Sequence, residues 1–228
     1  MEHMIMMRLL TVFIAVVLLI PVAGAEPSSQ VAFDVPTVQL LRAADPARGE
    51  ALAKEKKCSK CHGDNGVSED PEDNNIAGMQ PSYLYKQLKD YQDENRDDRD
   101  MLKQTRDLDD QQMADLAVWF AAQQPLAPAA DRNRDPAILR LVYEGDPQRL
   151  IKACASCHGR RGQGGQFDSP RLSGQYPEYF IYTMTEFKEG DRSNDIYSRM
   201  RIIAEALTEE EIEGLAGYYS AAVPEEEE

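Results

Sequence analysis

The chain has 228 residues, of which 40 are acidic and 25 basic, giving a formal net charge of −15. The excess is spread along it, with 18 acids against 11 bases over residues 44–124 and 14 against 10 over 135–222. Such a field disfavours nucleic acid and anionic lipid and favours partners with basic docking surfaces.

The first 25 residues read as an export signal rather than as part of a fold. Arg8 supplies the positive start, Leu9 to Ile20 the apolar stretch, and Ala23-Gly24-Ala25 the small-x-small cleavage pattern after Pro21. Twelve apolar or near-apolar residues fall short of the roughly 20 a membrane span needs. The expected location is therefore periplasmic, with a retained membrane anchor as the alternative. Residues 26–43 look like a mostly extended arm. A first helix then spans Ala47 to Lys57 and leads into Cys58-Ser59-Lys60-Cys61-His62. A second follows Pro81, with Tyr83, Leu84, Leu88 and Tyr91 at helical spacing. A charged loop, residues 93–100, precedes Met101. The last helix is announced by a capping box, Asp109 with Gln112, and carries Met113, Leu116, Ala117 and Phe120 on one face.

The chain then repeats itself. After a proline-rich, charged linker at 125–134, Cys154-Ala155-Ser156-Cys157-His158 recurs 96 residues beyond the first such motif. Gly145 and Gly174 keep the same offset from Gly49 and Gly78, and Met200 and Leu207 follow Met101 and Leu108 at an offset of 99. The second unit is expected to have a helix over Pro147 to Ala153 and another after Pro177. Its last helix is capped by Thr208 and Glu211, with Ile212, Leu215, Ala216 and Tyr219 as the inner face. No alternating strand pattern stands out. The fold class is all-α, with units at 44–124 and 135–222 and an acidic tail at 223–228.

C-x-x-C-H is the attachment signature of a c-type haem, with two thiols for the porphyrin vinyl groups and an imidazole for the iron. A zinc half-site, a redox dithiol or a disulfide are the competing uses of C-x-x-C. Two copies at domain-sized spacing behind an export signal favour two covalently bound haem c groups. They use all four cysteines: Cys58, Cys61, Cys154 and Cys157. Of three histidines, His3 lies in the signal, leaving His62 and His158 as proximal ligands and none for the distal side. Met101 and Met200, at matched positions in the loop before the last helix, are the candidate distal ligands. Met79 follows Gly78 in a loop and competes, but its repeat partner is Gln175. Met113 and Met184 read as core. The lysines Lys54, Lys56, Lys57 and Lys60, and Arg160-Arg161, flank the two motifs. They are ordinary solvated surface or a docking patch.

Two C-x-x-C-H-G units are each followed by a loop such as Ala77-Gly78-Met79-Gln80-Pro81-Ser82-Tyr83, a matched methionine and a Leu-Ala-containing last helix. The combination resembles the cytochrome c4 family, periplasmic di-haem proteins of two tandem class I cytochrome c domains. The resemblance spans roughly 45–222. It implies His62 with Met101 and His158 with Met200 at the irons, domains packed face to face with haem propionates near the seam, and electron delivery to oxidases or other acceptors. Met79, the charged 93–100 loop and the long arm depart from the family pattern. A related resemblance is the di-haem subunit of flavocytochrome c sulfide dehydrogenase.

The expected function is single-electron transfer, with no catalytic residue and no small-molecule substrate. The chain has no spare histidine or cysteine and no Gly-rich nucleotide loop. The alternatives are the electron-accepting haem subunit of a periplasmic dehydrogenase and, less favoured, a peroxidase-like enzyme in which one methionine leaves its iron.

Overall fold

The computed structural model describes Ser29, Val31 and residues 33–220. The expected signal and acidic tail lie outside the described residues. The described chain is helical, with no strand and two isolated bridges, Asp146 with Ile151 and Gln175 with Ser220.

Helix α1 (Val35–Ala43) corrects the expectation of an extended arm. The Asp34 side chain accepts from the Thr37 amide and Pro36 pre-sets the first turn, so Asp-Val-Pro-Thr is a helix start. Leu40 and Leu41 of α1 pack on the first core. Helix α2 (Pro46–Lys56) follows, capped by Asp45, and ends at Lys57 in the left-handed region. The short α3 (Ser59–His62) carries the first motif. Then come α4 (Pro81–Gln92), α5 (Arg99–Thr105) and α6 (Asp110–Ala121). The Asp109–Gln112 capping box of α6 is formed as expected. Gly49 lets α2 cross α6 closely, because a Cβ there would overlap the Asp115 carbonyl.

The second half opens with α7 (Pro136–Tyr143), not with the expected helix over 147–153. In that stretch only a single 3-10 turn forms, Pro147–Arg149, closed off by the Asp146–Ile151 bridge and by Leu150 at φ +60°. The Gly49–Gly145 match misled because the glycine that admits the crossing here is Gly214. It lies against Ile138 of α7, whereas Gly145 sits in a turn at φ +76°. Helices α8 (Cys154–His158), α9 (Pro177–Glu189), α10 (Arg199–Ala206) and α11 (Glu209–Tyr219) then repeat α3 to α6. The Thr208–Glu211 capping box of α11 is formed.

Two cores result. One gathers Tyr83, Leu84, Met113, Leu116, Ala117 and Phe120; the other gathers Phe180, Met184, Ile212, Leu215, Ala216 and Tyr219. Tyr91 is buried and Leu88 partly so, as the spacing predicts. Residues 125–134 run along α11, where the Ala129 and Asn133 amides donate to the carbonyls of Ser220 and Gly217. The halves meet through polar contacts. The Asn75 amide donates to Gln175 Oε1 at 3.0 Å, Gln175 Nε2 donates to the Asn75 carbonyl at 3.0 Å, and Tyr176 OH donates to the Ser68 carbonyl at 2.8 Å.

Candidate functional site

In each half the C-x-x-C-H segment forms one short helix turn. The cysteines three apart and the histidine after them therefore share a face. Glycine follows at φ +68° (Gly63) and +81° (Gly159), turning the chain away. His62 Nδ1 lies 3.2 Å from the Asn74 carbonyl oxygen, and His158 Nδ1 lies 2.8 Å from that of Pro170. A carbonyl only accepts, so Nδ1 carries the proton in both rings and Nε2 keeps the lone pair a metal requires. Burial pushes both imidazoles below their ordinary range, which keeps them neutral. The loops beneath also repeat. The amides of Ile76 and Ala77 donate to the Gly66 carbonyl, and those of Leu172 and Ser173 to Gly162.

Each histidine opens onto a cleft. The first encloses about 1310 Å³ including its open mouth and is lined by Cys58, Cys61, His62 and Met101. The second encloses about 1230 Å³ and is lined by Cys154, Cys157, His158 and Met200. Tyr83, Leu84, Leu116 and Phe120 wall the first, and Phe180, Met184, Leu215 and Tyr219 the second.

The methionines were expected in loops. They lie instead in the first turns of α5 and α10, because an aspartate captures their backbone. Asp98 Oδ1 accepts from the Asp100 and Met101 amides at 2.9 Å each. Asp195 Oδ2 accepts from Met200 at 2.9 Å and from Arg201 at 3.1 Å. Met79 is buried in the first core and lines the cavity between the halves, away from the His62 cleft. Met113 is wholly buried; Met184 is core and also faces the second cleft.

The four thiols are unpaired. Burial pushes Cys58 up and Cys154 up to about 11, opposite to the thiolate character a redox dithiol needs. Among the described residues no three His, Cys, Asp or Glu side chains converge as a zinc site demands. The residues do fit a porphyrin with acidic side groups. Arg96 and Arg192 are buried at the seam with no carboxylate partner among the described residues, held by Gln87, Tyr179, Tyr83 and Asn194. Gln87 Nε2 and Arg171 Nε are buried donors without a partner among the described residues, and both residues line the seam cavity. Burial pushes the Tyr179 hydroxyl up, but Arg96 and Arg192 beside it bring it down to about 8.

Sequence reasoning missed this polar seam, with Lys86, Asp90, Asp168 and Asn194 at its centre. Its contacts join residues about 100 positions apart, and no local pattern announces them. Of the flanking bases, Lys56, Lys57 and Lys60 line the mouth of the first cleft. Lys54 pairs with Glu50 at 2.6 Å, and Arg160 lies over the Tyr143 ring.

An all-helical described chain whose two C-x-x-C-H turns each face an apolar cleft is consistent with the class of c-type cytochromes. The cytochrome c family model matches residues 46–122. Cytochrome c4 of Thiocapsa roseopersicina is 36% identical over 176 residues, covering 76% of this chain and 91% of that protein. The structure of reduced recombinant cytochrome c4 from Pseudomonas stutzeri superposes with a TM-score of 0.71 at 30% identity, over 78% of this chain and 99% of that one. A thiosulfate dehydrogenase electron acceptor of Stutzerimonas stutzeri is 29% identical over 178 residues, covering 76% and 82%. The chain belongs to the cytochrome c4 family and carries two covalent haem c groups.

Proposed function

We propose that this protein is a periplasmic single-electron carrier, not an enzyme, and that its two clefts are the haem sites. In this reading Cys58 and Cys61, and Cys154 and Cys157, hold the porphyrins as thioethers. His62 with Met101 and His158 with Met200 are the axial ligands. The units are residues 44–124 and 135–222, joined by 125–134 and wrapped around their haems, and residues 1–25 direct export. One observation carries the reading: in each half the C-x-x-C-H turn and a helix-anchored methionine line the same apolar cleft.

Haem c supplies a one-electron iron(III)/iron(II) couple. The chain does the rest. The Asn74 and Pro170 carbonyls fix the imidazole tautomer, Asp98 and Asp195 anchor the thioether helices, and the apolar walls exclude water. A site closed on both faces passes electrons and binds little else. Rapid mixing with cyanide or carbon monoxide tests this. Both native sites should react slowly or not at all, and fast binding at either would contradict the carrier role.

A narrower second role is suggested by the relative described as a thiosulfate dehydrogenase electron acceptor, behind the more similar cytochromes c4. The chain then takes electrons from a periplasmic sulfur-oxidising dehydrogenase. Mixing the oxidised protein with such an enzyme and thiosulfate should reduce its haems, and no reduction would remove the idea. The net charge of −15 suits partners with basic docking surfaces, while Lys56, Lys57 and Lys60 put a local basic patch at the first cleft. Reversing these lysines should change the salt dependence of the transfer rate; an unchanged slope would place docking elsewhere.

A further inference from the structure

The seam holds a buried acid to which electron transfer assigns no task. Asp168 lies on the loop after the second motif, with 8% of its side chain exposed. It lines the second cleft together with His158 and Met200, and also the cavity between the halves. Its partners are weak. The Ile196 amide donates to Oδ2 at 3.3 Å, Lys86 Nζ is 3.5 Å from Oδ1, and Arg199 Nη2 is 4.0 Å from Oδ2.

Asp90, across the seam, is held far better. Ser29 Oγ and Lys86 Nζ donate to it at 2.6 Å each, and Asn194 Nδ2 at 2.7 Å. Lys86 also donates to the Asn194 carbonyl at 2.5 Å. Two carboxylates thus share one buried ammonium, and Asp168 is the looser of them, the arrangement in which one acid stays hard to ionise. Burial pushes its carboxyl above the ordinary range; Lys86 and Arg192 pull the other way, and Asp90 adds to the push. Asp195, which lies on the loop before α10 and lines the same cavities, is committed to Arg201 at 2.7 Å. The repeat makes this peculiar to the second site, since the residue 96 positions earlier is Glu72, which is exposed.

We propose that Asp168 takes up a proton when the second haem site takes up an electron. The proposal rests on reading that cleft as a haem site. One electron from a donor protein reduces iron(III) to iron(II), and one proton moves from solvent to the Asp168 carboxylate. No other bond forms or breaks. Reduction removes a positive charge that had favoured the carboxylate, so Asp168 holds its proton more tightly in the reduced state. By linkage the potential of the second site falls as pH rises between the two affinities and is flat outside them. The attraction weakens with distance, so the first site responds less.

The test is spectroelectrochemical titration of the full haem-loaded protein against pH, with reduced-minus-oxidised infrared spectra. The second potential should fall by up to about 59 mV per tenfold loss of proton activity, over a window above the usual carboxylate range. A protonated-carboxyl band should appear on reduction. Asp168→Asn should flatten that slope and remove the band while sparing the first site. Lys86→Gln, which withdraws a cation from Asp168, should move the window to higher pH. A pH-independent second potential overturns the proposal, as does a slope or band that survives in Asp168→Asn. Protein without any haem couple would sink the reading of the cleft instead.

Discussion

Met101→Ala or Met200→Ala removes the matched thioether from its cleft; the first cleft has no other methionine in its wall, and the second has only the core residue Met184. The altered iron should then bind cyanide readily and lose potential, because thioether ligation raises it, while the other site is unchanged. Ligand-binding spectra of each variant check this, and an unaltered haem would exclude that methionine. That the cysteines, histidines and matched methionines would share a cleft was legible in the sequence, because C-x-x-C-H has a fixed spacing and the duplication pairs Met101 with Met200. Asp98 and Asp195 were not. An aspartate ahead of a methionine reveals its task only when its carboxylate is seen on the Met amide. Arg96 was read as one of the charges of the 93–100 loop, yet it folds inward to Gln87 and Tyr179.

Helices α6 and α11 begin in matching capping boxes, and each cap satisfies an orphan amide directly. Asp109→Ala and Thr208→Ala should each lower stability by about 0.5–2 kcal/mol, measured by denaturant unfolding of the haem-loaded protein; no loss would make the caps ornamental. Gly49→Ala should cost more, about 1–3 kcal/mol, by forcing α2 off the Asp115 carbonyl. A neutral result would mean the crossing is slack. The last helices were legible because caps and apolar periodicity agree locally. The start of the second half was not. Its helix crosses α11 through Gly214 rather than through a glycine of its own, so aligning the two halves on Gly49 and Gly145 drew the helix at the wrong place.

At the scale of the molecule, two small cores each face a cleft, and a unit of this size buries little apolar surface alone. Haem-free protein should lose much of its helicity, as circular dichroism would show; a native-like spectrum without haem would contradict this. Acid should also loosen the fold. Arg149 holds Glu211 and Asp146 below their ordinary range; burial pushes Asp115 up, but Arg48, the Asp45 amide and Gln111 together hold it below as well. Carboxylates depressed in the folded state stabilise it above their unfolded pKa of about 4, and that contribution is lost as pH falls through the folded value. Arg149→Met should shallow the acid limb of the stability curve, and an identical limb would deny the pair a role.

The central claim is that two irons are covalently held, each between an imidazole and a thioether. Magnetic circular dichroism of the oxidised protein, with an iron count per chain, tests it most directly. The account predicts two irons, both with a His/Met signature, and pigment that stays on the polypeptide in acidified acetone. A single iron, a water-ligated or bis-imidazole signature, or extractable pigment would contradict it.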